Sequence, residues 1–374
     1  MKIALVVDDT LDSTDGVQQV ILEIGRELHR RGHEVHYLTS TTTRTDVANV
    51  HSLSKNVRFR FNGNRVGVPL PAKRRVIERV LREEQFDLVH ISAPYSPLLA
   101  GKIISRLPPS TPVVGTFMIL PLGKVSRWGG KLLGLLQRRQ ARRFNAFMAV
   151  SDPAGEFCRF MYGDPGVTTG NPVNITPFHK ARERALEAAP PPKAPVSILF
   201  LGRLVERKGA GELINAVAVL RRLTSTPFEV EIAGRGPLEE EYRSRVHDLG
   251  LSQVVRFSGF IPEEDKADLL ARADIIALPA YGGESFGVSV VEALAAGTGG
   301  LLAGNNPGYA STLGPLQECL IHPRDVHGFA EKLKELVESP ELRRSMSEKQ
   351  SLHAQEFHTP TVVDRIEQVY SQAG

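Results

Sequence analysis

The chain has 374 residues, too many for one ordinary domain and enough for two of roughly 150–200 residues each. Its 41% hydrophobic and 24% charged residues supply ample material for buried cores, and no run approaches the roughly 18 consecutive apolar residues of a membrane helix. The net charge of +4 hides an asymmetry, because residues 1–180 carry 25 Lys+Arg against 15 Asp+Glu while the remainder carries 21 against 27. A basic half beside an acidic half implies that the first half faces something anionic, either nucleic acid or an anionic membrane surface.

The N-terminus, MKIALVVDD, has an apolar run too short for a signal-peptide core and no small-residue cleavage site. It reads as a first buried strand. Further strand candidates follow at Glu34–Leu38, Asp87–Ile91, Val113–Phe117 and Phe147–Val150. Between the first two lies Val17–Arg31, where Val17, Val20, Ile21, Ile24 and Leu28 recur at helical spacing and Gly32 follows as a C-cap. Strands alternating with helices predict a mainly parallel sheet covered on both faces. The stretch 188–195 (AAPPPKAP) reads as a linker or exposed connection. The alternation then restarts at Val196–Leu201, Phe228–Ala233, Val254–Ser258, Ile275–Leu278 and Gly300–Ala303, and the last ~45 residues look helical, divided by Pro360. Two doubly wound domains in tandem imply a ligand cleft between the carboxyl ends of their strands.

Cys158 and Cys319 match no metal or redox spacing, so a reducing cytoplasm is the expected setting and no metal site is read. The residues suited to chemistry concentrate in the second half. Gly202 and Arg203 directly follow an apolar strand, and Arg207-Lys208-Gly209 opens a helix. Free backbone N–H groups and the helix dipole at such a turn favour an anion, and Arg203 and Lys208 would add two positive charges there. The plain alternative is a solvated basic turn. A second turn, Gly282-Gly283-Glu284-Ser285-Phe286-Gly287, also joins a strand to a helical run that carries Glu292. Its glycines allow close backbone approach, while a carboxylate there suits sugar hydroxyls better than phosphate. Glu284 would hold a sugar and Glu292 a ribose. Either glutamate alone would more often be an ordinary surface acid. A third turn, Gly234-Arg235-Gly236-Pro237, is weak by itself. The three turns together describe a nucleotide-diphosphate site.

In the first half, Asp15-Gly16-Val17 precedes the first helix and could admit a phosphate or sugar. His90 fits a packed strand-end histidine more readily than a cleft residue, and Met118 would line the site without doing chemistry.

These residues resemble the retaining glycosyltransferases of glycosyltransferase family 4, across essentially the whole chain. The resemblance rests on the GR…RKG segment at Gly202–Gly209, the turn at Gly234–Pro237 and the E-x7-E signature ESFGVSVVE at Glu284–Glu292. It implies the GT-B fold, two Rossmann-like α/β domains facing a central cleft: an acceptor-binding domain 1–176, a nucleotide-sugar-binding domain 177–356 and a tail helix 357–374 crossing back to the first. It further implies that Arg203 and Lys208 stabilise the departing diphosphate and Glu284 grips the donor sugar. Glu292 would hold the ribose and the segment Ser285, Phe286 and Gly287 the phosphates. Gly202, Gly234, Arg235 and Gly236 would complete the donor site, with Gly16 beneath the diphosphate. No protein-bound metal or permanently bound cofactor is implied.

Three departures stand out. Met118 occupies the place of a histidine that contacts the donor sugar in many relatives, Asp15 replaces the first of two loop glycines, and Gly297-Thr298-Gly299-Gly300 replaces G-T-P-V with a turn expected to be looser.

The opening loop, the GTFxxLP segment and the basic first half look most like phosphatidylinositol mannosyltransferases and related glycolipid enzymes. GDP-mannose is the expected donor, with a UDP-sugar as alternative, and a lipid-linked or polysaccharide glycan is the expected acceptor. A catalytically impaired nucleotide-sugar-binding protein is the alternative of another class. Two basic amphipathic stretches accord with a peripheral position on the inner face of a membrane. One has Lys73, Arg74, Arg75, Arg79 and Arg82 beside Val76, Ile77, Val80 and Leu81. The other runs from Trp128 to Arg143. The competing reading of each is a sheet-covering helix with a solvated basic face. Nucleic acid is not an expected partner, because 6% aromatic content is low for a stacking surface.

Overall fold

Short continuous apolar runs separated by helical periodicity form parallel strands, because a strand covered on both faces by crossover helices has no polar side to show. The computed structural model describes residues 1–12, 16–61, 64–69, 72–94, 96–120, 134, 137–188 and 194–374. They fall into two units, Met1–Val173 with Thr359–Gly374, and Asn174–His358.

In the first unit the strands are β1 (Lys2–Val6), β2 (Glu34–Ser40), β3 (Val50–Ser54), β4 (Asn56–Phe61), β5 (Asn64–Pro69), β6 (Leu88–Ile91), β7 (Val113–Phe117), β8 (Ala146–Ala149) and β9 (Val167–Thr168). Seven of them make one sheet in the order β3-β2-β1-β6-β7-β8-β9, every pairing parallel, and β4 and β5 pair antiparallel with each other. Its helices are α1 (Gly16–Arg30), α2 (Arg74–Glu84), α3 (Leu99–Ile104), the short α4 (Arg138–Ala141) and α5 (Asp152–Tyr162). The side chain of Ser151 caps α5 by accepting from the Ala154 amide, and Gly163 closes it at φ 86. Helix α2 turns Ile77, Val80 and Leu81 into the core with Ala4, Val89 and Ile91, leaving Lys73, Arg74, Arg75, Arg79 and Arg82 exposed. It is therefore a sheet-covering helix with a solvated basic face. Its apolar side is already used. Half of the second basic stretch, including Trp128, Lys131, Leu132, Leu135 and Leu136, lies outside the described residues.

In the second unit the helix α6 (Thr176–Glu187) precedes β10 (Val196–Leu201), α7 (Ala210–Leu223), β11 (Phe228–Ala233), α8 (Glu239–Asp248), β12 (Val255–Gly259), α9 (Glu263–Ala271) and β13 (Ile275–Leu278). There follow α10 (Val288–Ala296), β14 (Gly300–Gly304), α11 (Pro307–Leu313), β15 (Leu320–Ile321), α12 (Val326–Glu338) and α13 (Pro340–Ala354). The sheet order is β12-β11-β10-β13-β14-β15, again all parallel. The proline-rich stretch connects α6 to β10 inside this unit, and residues 189–193 of it lie outside the described residues. The units divide at Val173 and Asn174.

The final helix, α14 (Thr359–Ala373), belongs to the first unit. Arg31 at the end of α1 pairs with Glu367 at 2.5 Å and Asp364 at 2.6 Å, and Tyr370 is buried against β6 through His90. Pro360 thus starts a helix rather than merely dividing two. At the turn 297–300 the chain packs closely, since a Cβ on Gly299 would stand 1.9 Å from the Asp274 carbonyl oxygen.

Candidate functional site

In the second unit the strand order reverses between β10 and β13, which pair parallel with Ile198 opposite Ile275, Leu199 opposite Ile276 and Phe200 opposite Ala277. Loops leaving the carboxyl ends of two such strands run to opposite faces and open a crevice, the position where doubly wound sheets bind ligands. The loop after β10 carries Gly202, Arg203, Arg207 and Lys208, and the loop after β13 carries Glu284, Ser285, Phe286 and Gly287.

Backbone bonds stitch these loops together. The Gly202 amide donates to Ala233 at 3.0 Å, the Leu204 amide to Arg235 at 3.0 Å, and the Tyr281 amide to Arg207 at 3.1 Å. Gly234 has φ 138, and a Cβ there would stand 1.8 Å from the Gly202 carbonyl oxygen, so only glycine lets the β10 and β11 turns approach. A Cβ on Gly236 would stand 2.2 Å from the Leu204 carbonyl oxygen.

Glu284 is the meeting point. Its Oε1 lies 3.0 Å from Lys208 Nζ and 2.5 Å from an Arg207 guanidinium nitrogen, and its side chain is 14% exposed. Burial pulls the Lys208 ammonium down, but Tyr309 and Glu284 outweigh it and hold the pKa above the usual lysine value. Two sequence-selected residues, Lys208 and Glu284, are therefore brought into one ion pair. Arg203 and Arg235 are exposed on the neighbouring turns. Arg207, part of the RKG segment but given no role from sequence, is a second cation that reaches Glu284.

Helix α10 begins at Gly287 with no acidic residue in its first turn and no side-chain cap, so its leading N–H groups remain suited to an anion. Phe286 is 2% exposed, packs edge-on against Phe357 at 5.2 Å and accepts from Thr312 Oγ1 through its carbonyl. That anchoring presets the turn that Ser285 and Gly287 share. Tyr309 of α11, buried beside Gly287 and near Lys208, is a site residue that sequence reasoning missed. Only a lone aromatic in an otherwise small-residue helix could have signalled it.

Glu292 does not join Glu284. It is buried on α10, where its Oε1 meets Lys266 Nζ of α9 at 2.7 Å, and Lys266 also bonds Glu263 at 2.6 Å. Burial pushes the Glu292 carboxyl above the usual range, opposed by Lys266.

In the first unit, Gly16 opens α1 exposed, and Asp15 lies outside the described residues. Met118 is buried at the end of β7. His90 is fully buried, its Nδ1 2.7 Å from the Tyr370 hydroxyl and its Nε2 2.6 Å from Thr116 Oγ1, which makes it a packed core histidine.

The comparisons agree with this architecture. Residues 181–352 match the family described as glycosyl transferases group 1, and residues 14–176 match glycosyltransferase family 4. A phosphatidyl-myo-inositol mannosyltransferase of Mycolicibacterium smegmatis is 30% identical over 99% of this chain and 93% of its own length. The protein of the same name from Mycobacterium leprae is 29% identical over 80% of this chain and 77% of its own length. Among solved structures, Anabaena HepE in complex with UDP shares the fold with a TM-score of 0.75 at 17% identity, covering 99% of this chain and all of its own. A glycosyltransferase from Rickettsia africae also gives 0.75, at 16% identity over 100% of this chain and 98% of its own. Two parallel-sheet units, three glycine turns at one switch point and a full-length relative lead to one conclusion: the chain belongs to glycosyltransferase family 4 and is a nucleotide-sugar-dependent glycosyltransferase of the GT-B fold.

Proposed function

We propose that this glycosyltransferase transfers mannose from GDP-mannose, with retention of anomeric configuration, to an inositol-containing glycolipid at an anionic membrane surface. The observation that carries the assignment of roles is the ion pair of Glu284 with Lys208 at the β10–β13 switch point. In the free protein Glu284 neutralises Lys208 and Arg207. Once a donor sugar offers its hydroxyls to Glu284, the cations turn to the diphosphate, where negative charge develops as the glycosidic bond breaks. Lys208 and Arg203 stabilise that leaving group, with the α10 amides at Phe286 and Gly287 taking phosphate oxygens. Glu292 receives the ribose by exchanging part of its bond to Lys266, and Gly202, Gly234, Arg235, Gly236 and Ser285 shape the donor site. Gly16 approaches the diphosphate from the first unit, which receives the acceptor, while the second unit binds the donor.

The mannosyl and inositol parts of the proposal draw on the names of the relatives above. A UDP-sugar is the second reading, favoured by the UDP-bound HepE neighbour. For the membrane, the exposed arginines of α2 supply attraction to anionic headgroups. With Ile77, Val80 and Leu81 buried, that attraction is electrostatic and weakens with salt. Among the described residues no helix is long and apolar enough to cross a bilayer.

Thermal-shift titration with GDP, UDP and ADP tests the donor, and sedimentation with phosphatidylinositol vesicles tests the surface. GDP stabilises most under the proposal. Equal shifts from all three nucleotides, or none, would remove the GDP assignment, and absence of low-salt vesicle binding would remove the membrane surface.

A further inference from the structure

A cluster of titratable side chains lies in the first unit at the amino ends of the strands, away from the loops that follow them. His36 is on β2, His51 on β3 and Glu84 ends α2. One nitrogen of each histidine and one Glu84 oxygen lie within 4.8 Å of one another. His36 Nδ1 is 2.9 Å from His51 Nε2, His51 Nε2 is 3.6 Å from Glu84 Oε1, and His36 Nδ1 is 3.8 Å from Glu84 Oε2.

Zinc holds nitrogen and oxygen ligands at about 2.0–2.2 Å in a tetrahedron, whose ligand–ligand edges are then about 3.3–3.5 Å. The three separations bracket that edge. The tautomer also fits. His36 Nε2 faces Glu34 Oε1 at 3.0 Å, so it carries the proton, and the lone pair of Nδ1 points at the shared centre. A carboxylate on the outer nitrogen of a ligating histidine is the usual support for a metal ligand, fixing ring orientation and raising basicity. His36 is 5% exposed and its ring stacks on His51 at 5.3 Å, so neither imidazole needs to be gathered in from solvent.

We propose that His36, His51 and Glu84 bind a divalent transition-metal ion, zinc by preference, with Glu34 orienting His36. Two histidines and one carboxylate leave a fourth position open to water. The site stands apart from sugar transfer and staples β2, β3 and α2. Lys2 is its built-in competitor, with Nζ 2.7 Å from Glu84 and 3.2 Å from Glu34. The ammonium neutralises both carboxylates when the ion is absent, and it must yield part of Glu84 to the ion.

The test is calorimetric titration of the full chain, stripped with chelator, with zinc chloride, alongside metal analysis after dialysis. The expected result is about one zinc per chain with a Kd of order micromolar. His51→Ala and Glu84→Gln each weaken binding at least about tenfold, and Glu34→Gln weakens it about tenfold while leaving the stoichiometry unchanged. Lys2→Met tightens it. Circular dichroism confirms that each variant is folded, and the partial exposure of His51 and Glu84 favours that. No stoichiometric uptake by the unaltered chain, or uptake that His51→Ala leaves undiminished, would overturn the site.

Discussion

His90 gives the chain a predictable acid weakness. In the folded state it is fully buried between Tyr370 and Thr116, and burial lowers its pKa from 6.5 to about 4. Both hydroxyl partners rotate to suit either tautomer, so what opposes protonation is desolvation of a buried cation. The unfolded chain takes up the proton near 6.5 and the folded chain only near 4, so stability is complete above about pH 6.5 and falls as pH drops towards 4. Linkage gives a loss of about 2–3 kcal/mol at pH 4.5 relative to pH 7.5, approaching its limit of roughly 3 kcal/mol below both pKa values. Replacing His90 with Gln removes the titration and keeps hydrogen-bonding capacity. The variant starts less stable at pH 7.5 because the packing changes, but its difference between the two pH values shrinks by about 2–3 kcal/mol. Urea unfolding at each pH, read by hydrogen exchange in peptides covering β6 and β7, isolates the first unit from the second. Parallel losses in both proteins would refute the argument.

Two further substitutions test how the units are held. Gly234→Ala forces a side chain into φ 138 and into the Gly202 carbonyl, and should cost the second unit about 2 kcal/mol or more; calorimetry showing an unchanged transition would contradict the close approach of the turns. Arg31→Ala removes bonds to Glu27, Asp364, Glu367 and the Pro360 carbonyl. With Asp364 well exposed, the expected cost is about 1–2 kcal/mol. Faster hydrogen exchange across Thr359–Ala373 would report it, and unchanged exchange would show that apolar packing alone holds α14.

Among the described residues, ten of the thirteen strands of the two parallel sheets were legible to within a residue or two, because parallel, doubly covered strands are continuous apolar runs. The sequences VHSLS, NVRFRF and NRVGVP of β3, β4 and β5 mix polar and apolar residues without a clean period, and β9 and β15 are two residues each. Those elements escaped periodicity. The three glycine turns were readable from their place between strand and helix. Which cations reach Glu284 was not, since adjacent charges in one turn look alike until the backbone directs them, and Arg207 joins Lys208 there. The partner of Glu292 was equally hidden: Lys266 sits 26 residues earlier, on a helix whose sequence gives it no distinction. Spacing also concealed His36, His51 and Glu84, which only the sheet and α2 bring together. The proline-rich stretch, open from composition to being a linker or an exposed connection, lies between α6 and β10 of one unit.

The central claim is that Lys208 and Glu284 serve one nucleotide-sugar site, Lys208 on the leaving diphosphate and Glu284 on the sugar. Initial rates with GDP-mannose and a phosphatidylinositol acceptor, compared between the unaltered chain, Lys208→Ala and Glu284→Gln, test it most directly. The account predicts that kcat falls at least about 100-fold in each variant, that GDP affinity drops in Lys208→Ala, and that it is nearly retained in Glu284→Gln. Full activity in either variant would contradict it.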